Sequence, residues 1–158
     1  MNSYRRLAPG AYVVAFLLFF IPFFDASLSL APWHVGSSQW RFGAFGLLSN
    51  ALMLPAAGAL IAVATGIAAG QMRVLRVLSM IGWLMVAILV VSTVLFALDA
   101  TQSRLLINPA MELSYYVASG TALAKLLLGM LSFALLARGG RVDRGIQQIN
   151  TAPLRAFR

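Results

Sequence analysis

The sequence predicts an all-α integral membrane protein in which four transmembrane helices form an antiparallel up-down bundle, with both termini in the cytoplasm. Two observations predict this class. First, 61% of the 158 residues are hydrophobic and 10% are charged, whereas about a quarter of the residues of a soluble domain are charged. Second, most basic residues fall in alternate gaps between four apolar runs, as the positive-inside rule requires of a multi-pass protein.

The distribution of the arginines predicts the orientation. Most of the 12 Lys and Arg residues lie in the N-terminal segment, the second gap and the C-terminal tail: Arg5, Arg6, Arg73, Arg76, Arg138, Arg141, Arg144, Arg155 and Arg158. These segments are therefore predicted to face the cytoplasm of a bacterial-type cytoplasmic (inner) membrane. The net charge of +8 is expected to meet anionic lipids there, and no nucleic-acid partner is predicted.

The first span is predicted over residues 7–24, with Asp25 at its outer boundary. Pro32 follows the best signal-peptidase position and disfavours cleavage, so this run is expected to remain as a span. The outer loop that follows places Trp33 and Trp40 at headgroup depth, where an indole ring can be half in water and half in lipid.

The second span is predicted over residues 44–70, which is longer than the roughly 20 residues that a bilayer needs. Pro55 is expected to kink it near its middle. Below the proline, small residues recur at every fourth position: Gly58, Ala62, Gly66 and Gly70. Such a stripe lets two helix backbones approach closely, either within the chain or against another protein. Asn50 lies on the same row, two turns earlier.

The third span is predicted over residues 77–98 and is followed by Asp99 at the outer boundary. The fourth helix is predicted to begin above the membrane at Asn108, with Glu112 in its first turn, where a carboxylate suits the helix dipole. Its membrane span is predicted over residues 113–137.

A glycine pair is expected to end the fourth helix. Gly139 and Gly140 come directly after its last predicted turn, the position where glycine commonly stops a helix. Residues 138–158 then form a basic cytoplasmic tail, which either lies on the inner membrane surface or docks on a partner.

Lys125 is the one basic residue inside an apolar run, close to the predicted midplane of the fourth span. A lysine at this depth costs roughly 2.5–3.5 kcal/mol on insertion scales. Its helix face holds small or weakly polar residues: Ala118, Thr121, Ala122, Gly129 and Ser132. We therefore expect it to face the bundle or a partner. Because helical side chains lean toward the N-terminus, a structural pair with Asp99 or Asp25 is predicted, with a partner or lipid contact and a transport role as the alternatives.

Few other residues could carry chemistry. The chain has no cysteine, which removes disulfides and thiolate ligands. The single histidine, His34, is a weak candidate to bind a pigment or metal, since a lone loop histidine more often forms surface hydrogen bonds. Asp25 and Asp99 would need a third group and a pocket to act as an acid–base pair. No metal site and no intrinsic cofactor are predicted, although a bound lipid, or a pigment or quinone shared with partner chains, is compatible with the sequence.

Three functions are compatible with this pattern. The first is a non-catalytic accessory or structural subunit that packs against other integral membrane proteins. The second is a small oligomeric transporter or channel with Lys125, Asn50 and Asp99 along its pathway. The third is a membrane enzyme acting on lipid or quinone at Asp25, His34 and Asp99. The short loops and the scattered polar residues favour the first function, so no enzymatic activity is predicted.

Overall fold

A computed structural model describes the backbone of residues 2–104 and 107–151 and the side chains of residues 6–104 and 107–139. Every regular element in these ranges is helical. The helices are α1 (Asn2–Ser29), α2 (Ser38–Ala51), α3 (Met53–Ala68), α4 (Met72–Arg104) and α5 (Glu112–Thr151), and a 3₁₀ turn (Pro109–Met111) precedes α5.

Three stretches are long and apolar enough to cross a membrane: Arg6–Ser29, Met72–Arg104 and Pro109–Gly139. Helices α2 and α3 pass the same test together but are bent by 41°. The chain thus has three candidate spans, or four if the bent pair is one crossing. The prediction of an all-helical, multi-pass membrane protein is confirmed at this level.

The break between α2 and α3 lies at Leu52, three residues before the proline that was expected to kink the span. Pro55 instead occupies the first turn of α3. A proline has no N–H to donate and its ring crowds the carbonyl four residues earlier, which here belongs to Ala51. The effect of Pro55 therefore falls on the preceding turn. Leu52 keeps helical backbone angles, so the chain bends without forming a loop.

The helices associate mainly as two pairs. Helix α1 packs along α3, and α4 packs along α5, while α2 and α3 also contact both members of the second pair. Ser79 of α4 donates a 2.7 Å hydrogen bond to the Ala137 carbonyl of α5. The buried core lies where the bend meets the α4–α5 pair: Leu52, Met85, Leu89, Phe96, Ala122, Leu126 and Phe133.

The small-residue stripe packs within the chain over its first three members. A Cβ atom on Gly58 would lie 2.6 Å from the Ala15 carbonyl oxygen of α1. A Cβ on Gly66 would lie 2.8 Å from Leu75 Cδ2 of α4, and Ala62 is buried. These positions bring α1 and α4 close to α3.

The fourth member of the stripe has a different role from the one predicted. Gly70 has a φ of +66° and open space around its Cα, so it makes no helix contact. The Gln71 N–H donates to the Gly66 carbonyl at 2.9 Å, which closes the turn after α3. A glycine suits this position because L side chains rarely adopt a positive φ.

Helix α1 covers Asn2–Ser29 and thus extends beyond the predicted membrane span, residues 7–24, at both ends. One predicted helix end is wrong. Helix α5 does not stop at Gly139 and Gly140 but continues to Thr151. Glycine lowers helix stability by about 1 kcal/mol relative to alanine without forbidding the conformation, and no proline follows within the helix. Part of the predicted tail is therefore helical, and residues 152–158 lie outside the described residues.

Candidate functional site: a polar groove at Lys125

Lys125 of α5 and Asn50 of α2 form a direct pair. The Lys125 ammonium donates a 2.6 Å hydrogen bond to the Asn50 side-chain carbonyl. The predicted partner Asp99 forms an ion pair with Arg41 instead. Asp99 lies near the level of Tyr115, which precedes Lys125 by ten residues, or about 15 Å along α5. The structure thus joins Lys125 to Asn50, the other residue singled out within the spans, through a contact that was not predicted.

This pair is exposed on the side of the helices. Both side chains remain largely accessible in the isolated chain. The sequence predicts that Lys125 faces the bundle or a partner. In this chain Lys125 bonds to α2 at the edge of the bundle, and a contact with a partner stays a prediction. The contact with α4 buries other residues of α5, such as Leu126 and Phe133. Lys125 lies on a different side of α5, which faces the edge of α2.

The pair stands at one end of a groove of about 320 Å³ between α2 and α5. The groove is lined by Phe42, Gly43, Gly46, Ser49, Asn50, Phe96, Ala118, Thr121, Ala122 and Lys125. A Cβ atom added to Gly43 or Gly46 would meet nothing within 4 Å, so the α2 wall leaves room for an occupant. The groove is open to the side, along the face that these two helices present.

Two hydroxyl groups of the groove are already hydrogen-bonded within their own helices. Thr121 donates to the Ala118 carbonyl at 2.9 Å, and Ser49 donates to the Gly46 carbonyl at 2.7 Å. Both hydroxyl protons are thereby used within their own helices. A lysine ammonium has three donors, and one of them is used by the Asn50 carbonyl oxygen, which leaves two. The groove therefore presents donors and a positive charge.

Asp99 is held by a different residue. Arg41 at the start of α2 donates to both carboxylate oxygens of Asp99, at 2.9 Å and 2.7 Å, and to the Val35 carbonyl at 3.0 Å. Asp99 is 3% exposed. Asp99 anchors the loop before α2 to α4 through Arg41 and does not line the Lys125 groove.

Stacked aromatic rings lie between this ion pair and the groove. Phe42 stacks on Phe96 at 5.1 Å and on Tyr115 at 5.3 Å between ring centroids. The Tyr115 hydroxyl donates to the Ala100 carbonyl. Because Phe42 and Phe96 also line the groove, its end nearest the Arg41–Asp99 pair is apolar.

The remaining predicted site residues lie in or near the loop before α2. Trp40 donates its indole N–H to the Leu30 carbonyl at 3.1 Å, and Trp33 lies 6.4 Å from Trp40 between ring centroids. His34 pairs through Nδ1 with the Pro32 carbonyl at 2.8 Å. Asp25 is exposed on α1. Within the described residues, no three metal-ligating side chains form a cluster.

A second cavity, of about 430 Å³, is apolar and lies among α1, α3, α4 and α5. Phe16 and Phe20 of α1 line it together with Ile81 and Met85 of α4. A lipid- or quinone-modifying enzyme would need such a crevice beside Asp25, His34 and Asp99, and none of these three lines it.

Sequence reasoning missed the groove and the Arg41–Asp99 pair. A signal for the groove existed: Gly43, Gly46 and Asn50 are spaced by three and four residues, which places them on one helix face. A signal for the ion pair also existed, since Arg41 and Asp99 are opposite charges in the two predicted outer gaps. Neither signal identifies a partner across helices without the structure.

These features define a class: an all-helical chain with several candidate membrane spans and a cationic groove on its lateral surface. Comparison with protein-family models, curated proteins and solved structures gave no match to this chain.

Proposed function

We propose that this protein is a non-catalytic accessory subunit of a larger membrane complex. In this proposal α2 and α3 form one bent crossing, so that four crossings run up and down through a bacterial-type cytoplasmic membrane. Both termini are cytoplasmic, where exposed Arg6, Arg73, Arg76 and Arg138 meet anionic lipids. Its partners are other integral membrane proteins.

The exposure of the Lys125–Asn50 pair carries the proposal. Lys125 lies ten residues from Tyr115, and Asn50 lies nine residues from Arg41, which corresponds to about 15 Å along each helix. In a hydrocarbon layer about 30 Å thick, this is close to the midplane. An ammonium group facing lipid there would cost roughly 2.5–3.5 kcal/mol. A protein covering the groove removes that cost, so the exposed pair marks a face that another chain occupies.

The other described features fit a supporting role. The titratable groups at the Asp99 end are separated or bonded within the chain, as Asp99 is to Arg41 and His34 is to Pro32. Within the part of the chain that the structure describes, no nucleophile and base stand together beside a cavity. The apolar crevice beside α1 is the place where a lipid chain, or a pigment or quinone shared with a partner, would bind.

Purification in a mild detergent tests the proposal. The wild-type protein is expected to co-purify with unrelated membrane chains at a fixed stoichiometry, and Lys125→Met is expected to reduce their recovery. Leu127→Met is the matched control, because Leu127 is exposed on the opposite side of α5. Purification of the chain without any stoichiometric partner would overturn the proposal.

Labelling of single cysteines tests the orientation. The natural chain has no cysteine, so Gln102→Cys near the Asp99 end and Ser3→Cys near the N-terminus each give one thiol. A membrane-impermeant maleimide is expected to label Gln102→Cys in intact cells and Ser3→Cys only after permeabilisation. The reverse pattern would contradict the proposed orientation.

The polar lining of the groove also supports a second candidate function, an oligomeric transporter or channel. In that case several copies would enclose Lys125 and Asn50 around a common pathway. Asp99, which was expected along the same route, is bonded to Arg41 instead. A symmetric complex of this chain alone, with a central cavity at Lys125, would favour transport over the accessory role.

A further inference from the structure

We propose that the groove at Lys125 receives a transmembrane helix of a different protein, and that this helix carries an aspartate or glutamate near its middle. The inference rests on the proposed accessory function and deepens it by specifying the chemistry of the partner.

The charge of the groove points to a carboxylate. Lys125 is the one charged residue among those that line the groove, and Asn50 is neutral. Lys125 uses one of its three donors on the Asn50 carbonyl oxygen. The two remaining donors of the ammonium suit a group with acceptor oxygens. A carboxylate would also neutralise the ammonium in a low-dielectric environment, where opposite charges attract strongly.

A second copy of this chain cannot provide that carboxylate at the required depth. The chain has four acidic residues: Asp25, Asp99, Glu112 and Asp143. Asp99 is bonded to Arg41, while Asp25 and Glu112 belong to the end of the molecule that carries Asp99. Asp143 follows Lys125 by eighteen residues, about 27 Å along α5. A symmetric contact between two copies through this groove would place one Lys125 opposite the other. The charge pattern therefore requires a different protein.

The depth and the walls of the groove favour a helix over a lipid headgroup. Phosphate groups lie at the membrane interface, about 15 Å from the level of Lys125. Within the hydrocarbon layer a helix satisfies its own backbone groups. Gly43, Gly46 and Ala118 present little side-chain volume, which allows the backbone of a second helix to approach closely.

Site-specific photo-crosslinking in the native membrane tests this inference. A photoreactive amino acid replaces Thr121, which lines the groove and is exposed. The expected product joins residue 121 to a transmembrane segment of another protein that contains Asp or Glu near its middle. The same amino acid at Leu127, which is exposed on the opposite side of α5, is the control and is not expected to give this product.

Charge reversal at Lys125 is the second part of this test. Lys125→Glu is expected to lower the cross-linking yield at position 121 by about tenfold, the scale of one polar contact between membrane helices, and Lys125→Arg is expected to retain it. Changing the partner's carboxylate to lysine in the Lys125→Glu background is expected to restore the product. If Lys125→Glu does not insert, Asn50→Leu tests the same contact without adding a charge, and the identity of the wild-type cross-linked segment is decisive by itself.

The outcomes separate the two proposals. A cross-linked partner whose membrane segments lack an acid, or a yield that is insensitive to both Lys125→Glu and Asn50→Leu, overturns this inference and leaves the accessory function standing. Products that contain copies of this chain alone, or lipid alone, overturn both.

Discussion

Replacing Arg41 with methionine is expected to lower the free energy of unfolding by more than the roughly 1 kcal/mol that an exposed ion pair can contribute. The substitution leaves the Asp99 carboxylate buried without its bidentate partner, and an uncompensated buried charge is strongly destabilising. The loss is expected to be smaller than for a fully buried pair because the Arg41 side chain is itself 30% exposed. Methionine keeps much of the apolar stem, so the loss reports the guanidinium group. Unfolding by SDS in mixed micelles, followed by circular dichroism, measures the change.

Arg104→Met is the matched control for this substitution. Arg104 lies 3.9 Å from Glu112, and both side chains are at least half exposed. Exposed ion pairs contribute about 0–1 kcal/mol, so this variant should unfold almost as the wild type does. Equal effects of the two substitutions would show that Asp99 does not depend on Arg41.

Replacing Gly58 with alanine is expected to destabilise the protein by about 1–3 kcal/mol, the usual cost of overpacking a closely packed contact. The added methyl would lie 2.6 Å from the Ala15 carbonyl oxygen and 3.1 Å from the Phe19 backbone nitrogen. Both are backbone atoms of α1, so the whole helix must move to relieve the contact. Intrinsic helix propensity acts in the opposite direction, since alanine is favoured over glycine by about 1 kcal/mol.

Gly120→Ala separates these two effects. Gly120 lies within α5 and has no atom within 4 Å of the added methyl position. This variant should therefore be neutral or more stable by up to about 1 kcal/mol. The same unfolding assay applies to both variants, and a Gly58→Ala protein as stable as Gly120→Ala would contradict the close approach of α1 and α3.

Sequence patterns predict the membrane class well because each residue contributes its own hydropathy and charge, and these contributions add up over a span. The four apolar runs correspond to α1, the bent pair, α4 and α5. Helix ends are harder to predict. Gly139 resembles a stop signal, yet α5 passes through it, whereas Gly70 resembles a packing residue and instead ends a helix. The difference lies in the backbone angle that the neighbouring chain imposes, which residue type alone does not determine.

The candidate site could be predicted only in part. The cost of burying a charge singles out Lys125 from the sequence, and Asn50 stands out as a polar residue within the second span. Their contact depends on the angle between α2 and α5, which the bend at Leu52 controls. The prediction that Lys125 pairs with Asp99 rests on charge alone and not on the distance between the two side chains. Arg41 lies closer to Asp99 and pairs with it.

The bend at Leu52 gives the two halves of one candidate crossing different main contacts: α3 packs extensively along α1 and α2 does so far less, while both contact α4 and α5. A mutation at Gly43 or Gly46 therefore alters the surface beside α5 without touching the α1 contact at Gly58. Under the proposed accessory role, substitutions on the α2 half would change the surface offered to a partner, while the α1–α3 contact that holds the fold together stays the same.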